Sequence, residues 1–479
     1  MMTAVTATRA FPMPQAVNHE SLFSQGRVAA SLGAIALISL LAFEAIAVAA
    51  AMPAVAAALG GLDFYAIAFG GTLATSVVGM VLGGEVCDRH GPARSAALGL
   101  AAFISGLLAA GAAPDIYTLV LGRLLQGLGS GLLGVAIYVG MSRAIPSALH
   151  PKLFAMFAGA WVVPALVGPS IAAGLVHVLG WRAVFLAVAV VAPIAGAMLL
   201  PALNRQRGHS RRAEPLRWPL LGWSLLAAAG ALGLHGGSHL PAWPWMPLAL
   251  AAAAACTALA ARRLLPAGAM RAKRGLPSVV AMRGLIAAAF FGSEAFIPLL
   301  LTTRYGWSLN AAGLALTASA LMWSAGSAIQ ARLKGQSARR RGLTAGFAAM
   351  AAGLSVSLLS VAMGWPPLLA VAGWALTGLG IGLSFPMLSV LTMQLSRPDE
   401  QGRNASALQL SDALASSAAL ALAGLLLHAR AQPSAPPDTL PILAMSILLA
   451  LAGAWISPRA FGAGAKAESG LEAASRQKA

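Results

Sequence analysis

Charged residues are scarce in this chain. Of its 479 residues only 10% are Asp, Glu, Lys or Arg, whereas 58% are hydrophobic, and the mean hydropathy is +0.78. A soluble globular domain carries about a quarter charged residues, so the composition excludes that class. Acidic residues are scarcer than basic ones, with 14 Asp and Glu against 32 Lys and Arg, which gives a net charge of +18.

Cysteine and catalytic motifs are also rare or missing. Cys87 and Cys256 are the only cysteines, which is too few for a disulfide framework. The sequence contains no phosphate-binding glycine loop, no Walker-type lysine motif, no zinc-ligand spacing and no convergent Ser/His/Asp set. We therefore expect neither an ATP-driven pump nor an enzyme, and we expect no cofactor and no metal.

Long apolar runs, in contrast, fill most of the chain. About 20 apolar residues cross the hydrocarbon core of a bilayer, and backbone groups in lipid must be bonded within the segment, which selects helices. The fold class is therefore all-α integral membrane, after a polar tail at 1–27 that is unlike a cleavable signal peptide. We predict fourteen spans, at 28–50, 64–86, 94–112, 117–141, 152–177, 181–201, 217–235, 243–261, 281–302, 309–331, 342–362, 367–394, 404–428 and 439–457.

Basic residues are distributed unevenly between the predicted loops. If the N-terminus is cytoplasmic, almost all Lys and Arg lie in cytoplasmic segments, and the outer loops hold only Arg182, Arg304 and Arg430. This asymmetry follows the positive-inside rule and places both termini in the cytoplasm. The positive charge then reflects topology and attraction to anionic membrane lipids, and we expect no nucleic-acid partner.

Two short motifs recur about 250 residues apart, which indicates a duplicated unit. Phe43-Glu44-Ala45-Ile46 is echoed at 293–296, and the glycine-rich run 127–132 is echoed at 378–383. The predicted organisation is an N-terminal six-helix bundle at 28–201, a linker with two extra spans at 202–280, a C-terminal six-helix bundle at 281–457 and a tail at 458–479. Chance is the alternative, because glycine patterns are common in helices rich in Ala and Gly.

A charged motif lies between the second and third spans, within the sequence GEVCDRHGPAR. Charges are costly in lipid, so we expect this segment to form a turn at the membrane surface. It resembles the loop between the second and third spans of the major facilitator superfamily, a family of secondary transporters. The resemblance implies a cytoplasmic latch between the two bundles, whereas the residues alone also fit a basic loop that only sets topology. The matching residues are Gly84, Asp88, Arg89, Gly91 and Arg94.

The fourth span carries Arg123-Leu-Leu-Gln126-Gly127, which resembles the RxxQG signature of the same family. With these boundaries Arg123 is the only Lys or Arg deep within a span, and such a residue is a functional candidate. Arg123 and Glu44 lie equally far from the outer ends of their spans, so we expect them to pair. A purely structural ion pair and an arginine that reaches towards the surface are the alternatives.

Glu44 is the main candidate for proton coupling. Desolvation disfavours the charged form of a carboxylate in an apolar span, and a neighbouring cation favours it. Related drug:proton antiporters often carry an acidic residue in this part of the first span, so the resemblance implies coupling by Glu44 with Arg123. The alternative is a glutamate that only holds helices together.

Other residues within spans are candidates for a substrate site or a second proton site. They are Glu294, Asp412, Gln126 and Trp161. Acidic groups at membrane depth are expected to face a cavity, and tryptophan rings can line a site that accepts cations. Packing against neighbours is the alternative for each.

The fifth span contains Gly168-Pro169, which resembles the antiporter motif of the family. Small residues let helices approach closely and proline bends the span, so ordinary packing is the alternative. With six, two and six spans, the resemblance is to the fourteen-span drug:proton antiporter branch.

The resemblance implies a monomeric transporter in the bacterial cytoplasmic membrane that exports lipophilic or cationic small molecules, including drugs, in exchange for protons. The mechanism would be alternating access. Export of a lipid, a siderophore or a metabolite, and uptake by proton symport, are alternatives within transport. A membrane receptor or scaffold without transport is the alternative outside it, and buried ionisable groups in both halves argue against it.

Overall fold

A computed structural model of the protein describes residues 22–23, 27–60, 64–146, 149, 153, 156–157, 159–205, 218–236, 245–333, 335–396, 401–429 and 437–461. These residues form helices and no strand. The α-helices are α1 Val28–Leu59, α2 Tyr65–His90, α3 Pro92–Gly111, α4 Ile116–Ala144, α5 Val162–Leu179, α6 Arg182–Asn204, α7 Trp218–Gly236, α8 Met246–Leu264, α9 Leu276–Glu294, α10 Ile297–Tyr305, α11 Leu309–Ala331, α12 Gln336–Ala362, α13 Pro367–Leu395, α14 Gln401–Ala429 and α15 Leu440–Ile456.

In the described part of the chain, 13 helical segments are long and apolar enough to cross a membrane, when α9 and α10 are taken as one segment. The remaining helix, α5, is described from Val162, and its predicted span 152–177 begins partly outside the described residues. The all-α membrane fold class is confirmed. The cytoplasmic location of the termini stays a prediction, and the tails 1–27 and 458–479 lie almost wholly outside the described residues.

The charged motif at 84–94 is not a loop, so the predicted turn is wrong. Helix α2 continues to His90, which places Gly84, Asp88 and Arg89 in its last two turns, and Arg94 lies in the first turn of α3. Only Gly91, with a φ of 85°, joins the two helices. Basic side chains are favourable at a helix C-terminus, so a helix can carry these charges beyond the lipid without unwinding.

The seventh span also differs from its predicted bounds, 281–302. Helix α9 begins at Leu276, after Gly275 with a φ of 84°, and proline is well suited to the first turn that follows. The helix breaks after Glu294 and α10 resumes at Ile297. Arg283 therefore lies seven residues inside α9, and the prediction that Arg123 is the only deep cation is wrong.

Helices α1–α6, here called the first bundle, and α9–α15, the second bundle, contain the same set of helix pairings. In the first bundle α1 packs on α5 and α6, α4 packs on α2 and α3, and α3 packs on α6. In the second bundle α9 packs on α14 and α15, α13 packs on α11 and α12, and α12 packs on α15. These matched pairings support the predicted parallel repeat.

The glycine motif of α4 sets how closely its neighbours approach. Gly127 and Gly131 lie against backbone carbonyl groups of α2, and Gly129 between them lies against the backbone of α3. A Cβ at any of these positions would overlap the neighbouring helix. Because residues two apart point to opposite sides of a helix, alternate glycines let α4 contact two helices at backbone distance.

The echo of this motif in α13 packs in the same way. Gly378 and Gly382 lie against backbone carbonyl groups of α11, and Gly380 lies against the backbone of α12. The recurrence seen in the sequence is thus a recurrence of packing as well. The assignment of the two bundles as separate domains stays a prediction that these contacts support.

The two bundles meet along pairs of helices. Helix α2 packs on α14, α5 packs on α11, and α1 lies against α10 and α11. The two helices of the linker, α7 and α8, pack on each other, and α7 also contacts both α2 and α14.

Candidate functional site

A buried ion pair joins the middle of α1 to α4. Glu44 is 5% exposed and Arg123 is 3% exposed, and the guanidinium Nη1 donates a hydrogen bond to Glu44 Oε1. The structure thus brings together the two residues that the sequence placed at similar depth. Nη1 also donates to Gln126 Oε1 at 2.6 Å, and Nε donates to the carbonyl oxygen of Ala68 in α2 at 2.9 Å.

One side chain therefore connects three helices of the first bundle. Two charges out of water are tolerated only when they are paired and their remaining hydrogen bonds are satisfied, and Arg123 meets this condition through Glu44, Gln126 and Ala68. Neutralising Glu44 would remove the charge partner while leaving the other two acceptors in place. A proton on Glu44 would therefore weaken the link to α1 specifically.

Gln126 contributes an unused donor beside this pair. Its side chain is completely buried, and its Nε2 has no hydrogen-bond partner among the described residues. An unpaired buried donor is unfavourable, so this position suits a water molecule or a hydrogen-bond acceptor on a ligand. The structure places this predicted candidate in contact with the ion pair.

A second ion pair, formed by Arg283 and Asp412, lies within the second bundle. Nε of Arg283 in α9 lies 2.8 and 2.9 Å from the two carboxylate oxygens of Asp412 in α14. Its Nη1 donates to the carbonyl oxygen of Phe385 and to Ser389 Oγ, at 2.9 and 3.0 Å. Helix α4 of the first bundle contacts α14, the helix that carries Asp412, and a Cβ at Gly134 of α4 would lie 4.0 Å from Gln409. This pair therefore faces across the junction of the two bundles.

Sequence reasoning found Asp412 but missed Arg283. The predicted start at 281 places Arg283 at the cytoplasmic end of the seventh span, and the observed helix begins five residues earlier, at Leu276. The available signal was the sequence Gly275-Leu276-Pro277, which is typical of a helix start. A start there would have placed Arg283 two turns inside the span.

Glu294 ends α9 where the seventh span breaks. Its side chain is half-buried, and no hydrogen bond or ion pair to it is found within the described residues. One turn earlier on the same helix face, Phe290 stacks on Trp374 at 4.9 Å and meets the edge of Trp323 at 5.2 Å. A carboxylate at the end of an aromatic cluster is an arrangement that suits an organic cation.

The structure does not bring Trp161 into either ion pair. Trp161 lies immediately before α5 and is 37% exposed. No contact from it to Glu44, Glu294 or Asp412 is found in the described part of the protein. A role for Trp161 in substrate binding stays a prediction.

The residues of the predicted latch make contacts within the first bundle. Asp88 Oδ1 lies 3.5 Å from Arg143 Nη2 of α4, and Arg89 Nε lies 3.9 Å from Glu85 Oε2 on the same helix. Both Asp88 and Arg143 are exposed, and ion pairs of this kind contribute little to stability. A latch between the bundles stays a prediction.

The predicted antiporter motif lies between the two bundles. A Cβ at Gly168 of α5 would lie 3.5 Å from Phe43 and 3.7 Å from Ile46, the residues on either side of the Glu44-Ala45 pair. On its other side α5 contacts α11, where a Cβ at Gly313 would lie 3.3 Å from the carbonyl oxygen of Pro169. The helix that carries Gly168 and Pro169 thus links the surroundings of Glu44 to the second bundle.

Comparison with known proteins agrees with this architecture. The sequence profile of the Major Facilitator Superfamily matches residues 32–420. A probable multidrug-efflux transporter of Mycobacterium tuberculosis is 28% identical over 396 residues, covering 79% of this chain and 83% of that protein. The probable actinorhodin transporter of Streptomyces coelicolor is 28% identical over 371 residues, covering 71% of this chain and 61% of that protein.

The fold is also found among solved structures. The crystal structure of the POT family transporter PepTSo has a TM-score of 0.63, with 16% sequence identity over 89% of this chain and 97% of that chain. At this identity the likeness concerns the fold alone. Taken with the membrane-length helices, the family match over residues 32–420 shows that this chain is a member of the major facilitator superfamily, a multi-pass membrane transporter of small molecules and not an enzyme.

Proposed function

We propose that the protein exports lipophilic or cationic small molecules in exchange for protons, by alternating access in a bacterial cytoplasmic membrane. The observation that carries the proposal is the buried pair of Glu44 and Arg123, which ties α1 to α2 and α4. Relatives that are named multidrug-efflux and multidrug transporters support the substrate class.

The proposed coupling follows from the charge of Glu44. In the unprotonated state Glu44 is held by Arg123, and α1 is fixed against the rest of the first bundle. Protonation removes the charge attraction and releases α1, whose neighbour α5 leads to the second bundle. A proton then shifts the equilibrium between inward-open and outward-open states, because it binds the two states with different affinity.

The proposed substrate site is the aromatic cluster next to Glu294. Trp323 meets both Phe290 and Phe385 edge-on, with ring centroids 5.2 and 5.6 Å apart. An aromatic face and a carboxylate without a described partner suit a lipophilic cation. The Arg283–Asp412 pair lies at the other end of this cluster, since the guanidinium of Arg283 lies over the Phe385 ring.

The proposal is tested by transport in proteoliposomes, with ethidium as the lipophilic cation and a trapped pH-sensitive dye. An imposed pH gradient should drive ethidium accumulation in the wild type and move protons the other way. Glu44→Gln keeps the size and hydrogen bonding of the side chain but mimics the protonated form. We expect it to lower gradient-driven accumulation by about tenfold or more, while ethidium exchange without a gradient persists.

A matched control is Asp115→Asn, which makes the same chemical change in the exposed N-cap of α4. Asparagine is an equally good N-cap, so accumulation should stay at the wild-type level. Gradient-driven accumulation by Glu44→Gln at the wild-type rate would remove Glu44 from the coupling mechanism. A wild type that moves neither ethidium nor other lipophilic cations would contradict the proposed substrate class.

A further inference from the structure

The linker helix α7 packs against one helix from each bundle. Its neighbours are α2 of the first bundle and α14 of the second, and α8 supports it from the outside. We call the contact between α2 and α14 the seam. The linker helices are therefore not peripheral to the two bundles, because α7 contacts both helices of the seam.

The buried residues of α7 form a single stripe. Ser224, Ala228, Ala231 and His235 recur at intervals of three or four residues, with Ala227 and Gly230 buried beside them, whereas Leu225 is exposed. Apolar residues at this spacing share one side of a helix. The stripe is made of small side chains until its last member, an imidazole that is 2% exposed.

Through Ala227, which lies beside the stripe, α7 also contributes to a hydrophobic cluster shared by four helices at the seam. Val77 of α2, Ala227 of α7, Ala260 of α8 and Leu410 and Leu414 of α14 are buried together. A lipid-facing helix added to the outside of a finished bundle has no need to share a core with both sides of a junction. This packing makes the position of α7 depend on how α2 and α14 lie relative to each other.

The His235 side chain packs directly against Gly70 of α2, at a point where any larger residue than glycine would overlap it. A Cβ at Gly70 of α2 would overlap the His235 imidazole, and it would lie 3.2 Å from Leu420 of α14. At the same point Ser417 Oγ of α14 donates a hydrogen bond of 2.8 Å to the carbonyl oxygen of Gly70. Three helices, one from each bundle and one from the linker, thus meet at a single residue.

We propose that His235 is a positioning residue for the transport cycle: seated on Gly70, it stabilises the arrangement of the seam seen in this structure. The inference rests on alternating access, in which the two bundles move relative to each other, but not on proton coupling or on the identity of the substrate. Movement at the seam displaces Gly70 from Ser417, and the His235 contact is lost with it. The linker helices then help to set the ratio of the two conformations.

The test is a double-mutant cycle on the contact between Gly70 and His235. Gly70→Ala introduces a methyl group where the imidazole lies, so it should shift the ratio of the two conformations by about tenfold. His235→Ala removes the imidazole and leaves room for that methyl group. The double variant should therefore behave like His235→Ala alone, which is the signature of a direct contact.

The readout is the distance between spin labels at Tyr117→Cys and Leu368→Cys, in protein that lacks Cys87 and Cys256. Both positions are exposed, and each is the second residue of its helix, α4 in the first bundle and α13 in the second. Distances are measured without substrate and without a pH gradient, so failure of proton coupling would leave this test intact.

Gly83→Ala, on the same helix, is the matched control, because its Cβ would lie 3.1 Å from Leu132 of α4 and 3.4 Å from Ser95 of α3, within the first bundle. His235→Ala should not correct any change that this control produces. A double variant whose distances differ from those of His235→Ala alone would overturn the proposal. So would distances that stay at the wild-type values in properly folded Gly70→Ala and His235→Ala, as judged by elution profile and thermal unfolding.

Discussion

At the scale of residues, the two arginines that are buried in the described part of the chain have similar sets of hydrogen-bond acceptors. Arg123 binds a carboxylate, a backbone carbonyl group of another helix and the Gln126 side chain, and Arg283 binds a carboxylate, a backbone carbonyl group and the Ser389 hydroxyl. Among the described residues, each bundle thus holds one buried arginine with its own counter-charge, and each pair joins different helices. A buried charge without its partner is strongly unfavourable, so each pair fixes the helices that it joins.

The second pair provides a stability prediction. Asp412→Asn leaves the Arg283 guanidinium buried without a counter-charge, and we expect a loss of about 3 kcal/mol in the free energy of unfolding. Adding Arg283→Gln removes the unpaired charge and should recover most of that loss. Thermal unfolding in detergent measures both, with Asp88→Asn as the control, since its ion pair with Arg143 is exposed and should contribute no measurable shift. A double variant less stable than Asp412→Asn would contradict this account.

Residue chemistry was the most predictable part of the site. Glu44, Arg123 and Asp412 are predictable as candidates because ionisable groups at membrane depth are energetically costly. The few that occur in an apolar sequence are therefore expected to have a function. Gln126 followed from the signature that contains Arg123. The depth of Arg283 could not be predicted from composition alone. Until the start of the helix is known, a basic residue near the end of an apolar run cannot be distinguished from one that only sets the membrane topology.

At the scale of elements, glycine spacing decides which helices can touch at backbone distance. Gly129→Ala in α4 would place a methyl group against the backbone of α3, which cannot move aside as a flexible side chain can. We expect a loss of about 1–3 kcal/mol in stability. Gly134→Ala is the control on the same helix, because its Cβ would meet only Gln409, at 4.0 Å.

The counterpart of this prediction lies in the second bundle. Gly380→Ala should destabilise the protein to a similar extent, because Gly380 lies against α12 as Gly129 lies against α3. Thermal unfolding of the three glycine variants measures the effect. A Gly380→Ala protein as stable as Gly134→Ala would show that the repeated motif does not have the same packing role in both bundles.

Helix existence was predictable and helix ends were not. The spans were predictable from the length of the apolar runs, since about 20 consecutive apolar residues are needed to cross the hydrocarbon core of a bilayer. The predicted end of α2 and the predicted start of α9 are wrong, because a charged residue does not by itself end a helix. Helix α2 includes Asp88 and Arg89 near its C-terminus, and α9 begins before Arg283. Hydrogen bonding in a helix continues until a residue such as Gly91 changes the backbone conformation.

At the scale of the whole molecule, the contacts between bundles determine how a change at Glu44 could spread. Helix α1 bears Glu44 and lies against α5, α10 and α11, while α2 receives a hydrogen bond from Arg123 and packs on α14 at the seam. The ion pair therefore touches α1 and α2, two of the helices through which the first bundle meets the second. A local change in charge is amplified when it shifts such rigid bodies between two packed arrangements.

The most direct test of this account is the pH dependence of the distance between labels at positions 117 and 368. In the wild type the distribution should shift once the pH is low enough to protonate Glu44, because protonation of Glu44 releases Arg123. In Glu44→Gln the distribution should match the low-pH form of the wild type at every pH. A Glu44→Gln protein whose distances still shift with pH as the wild type does would contradict the central claim.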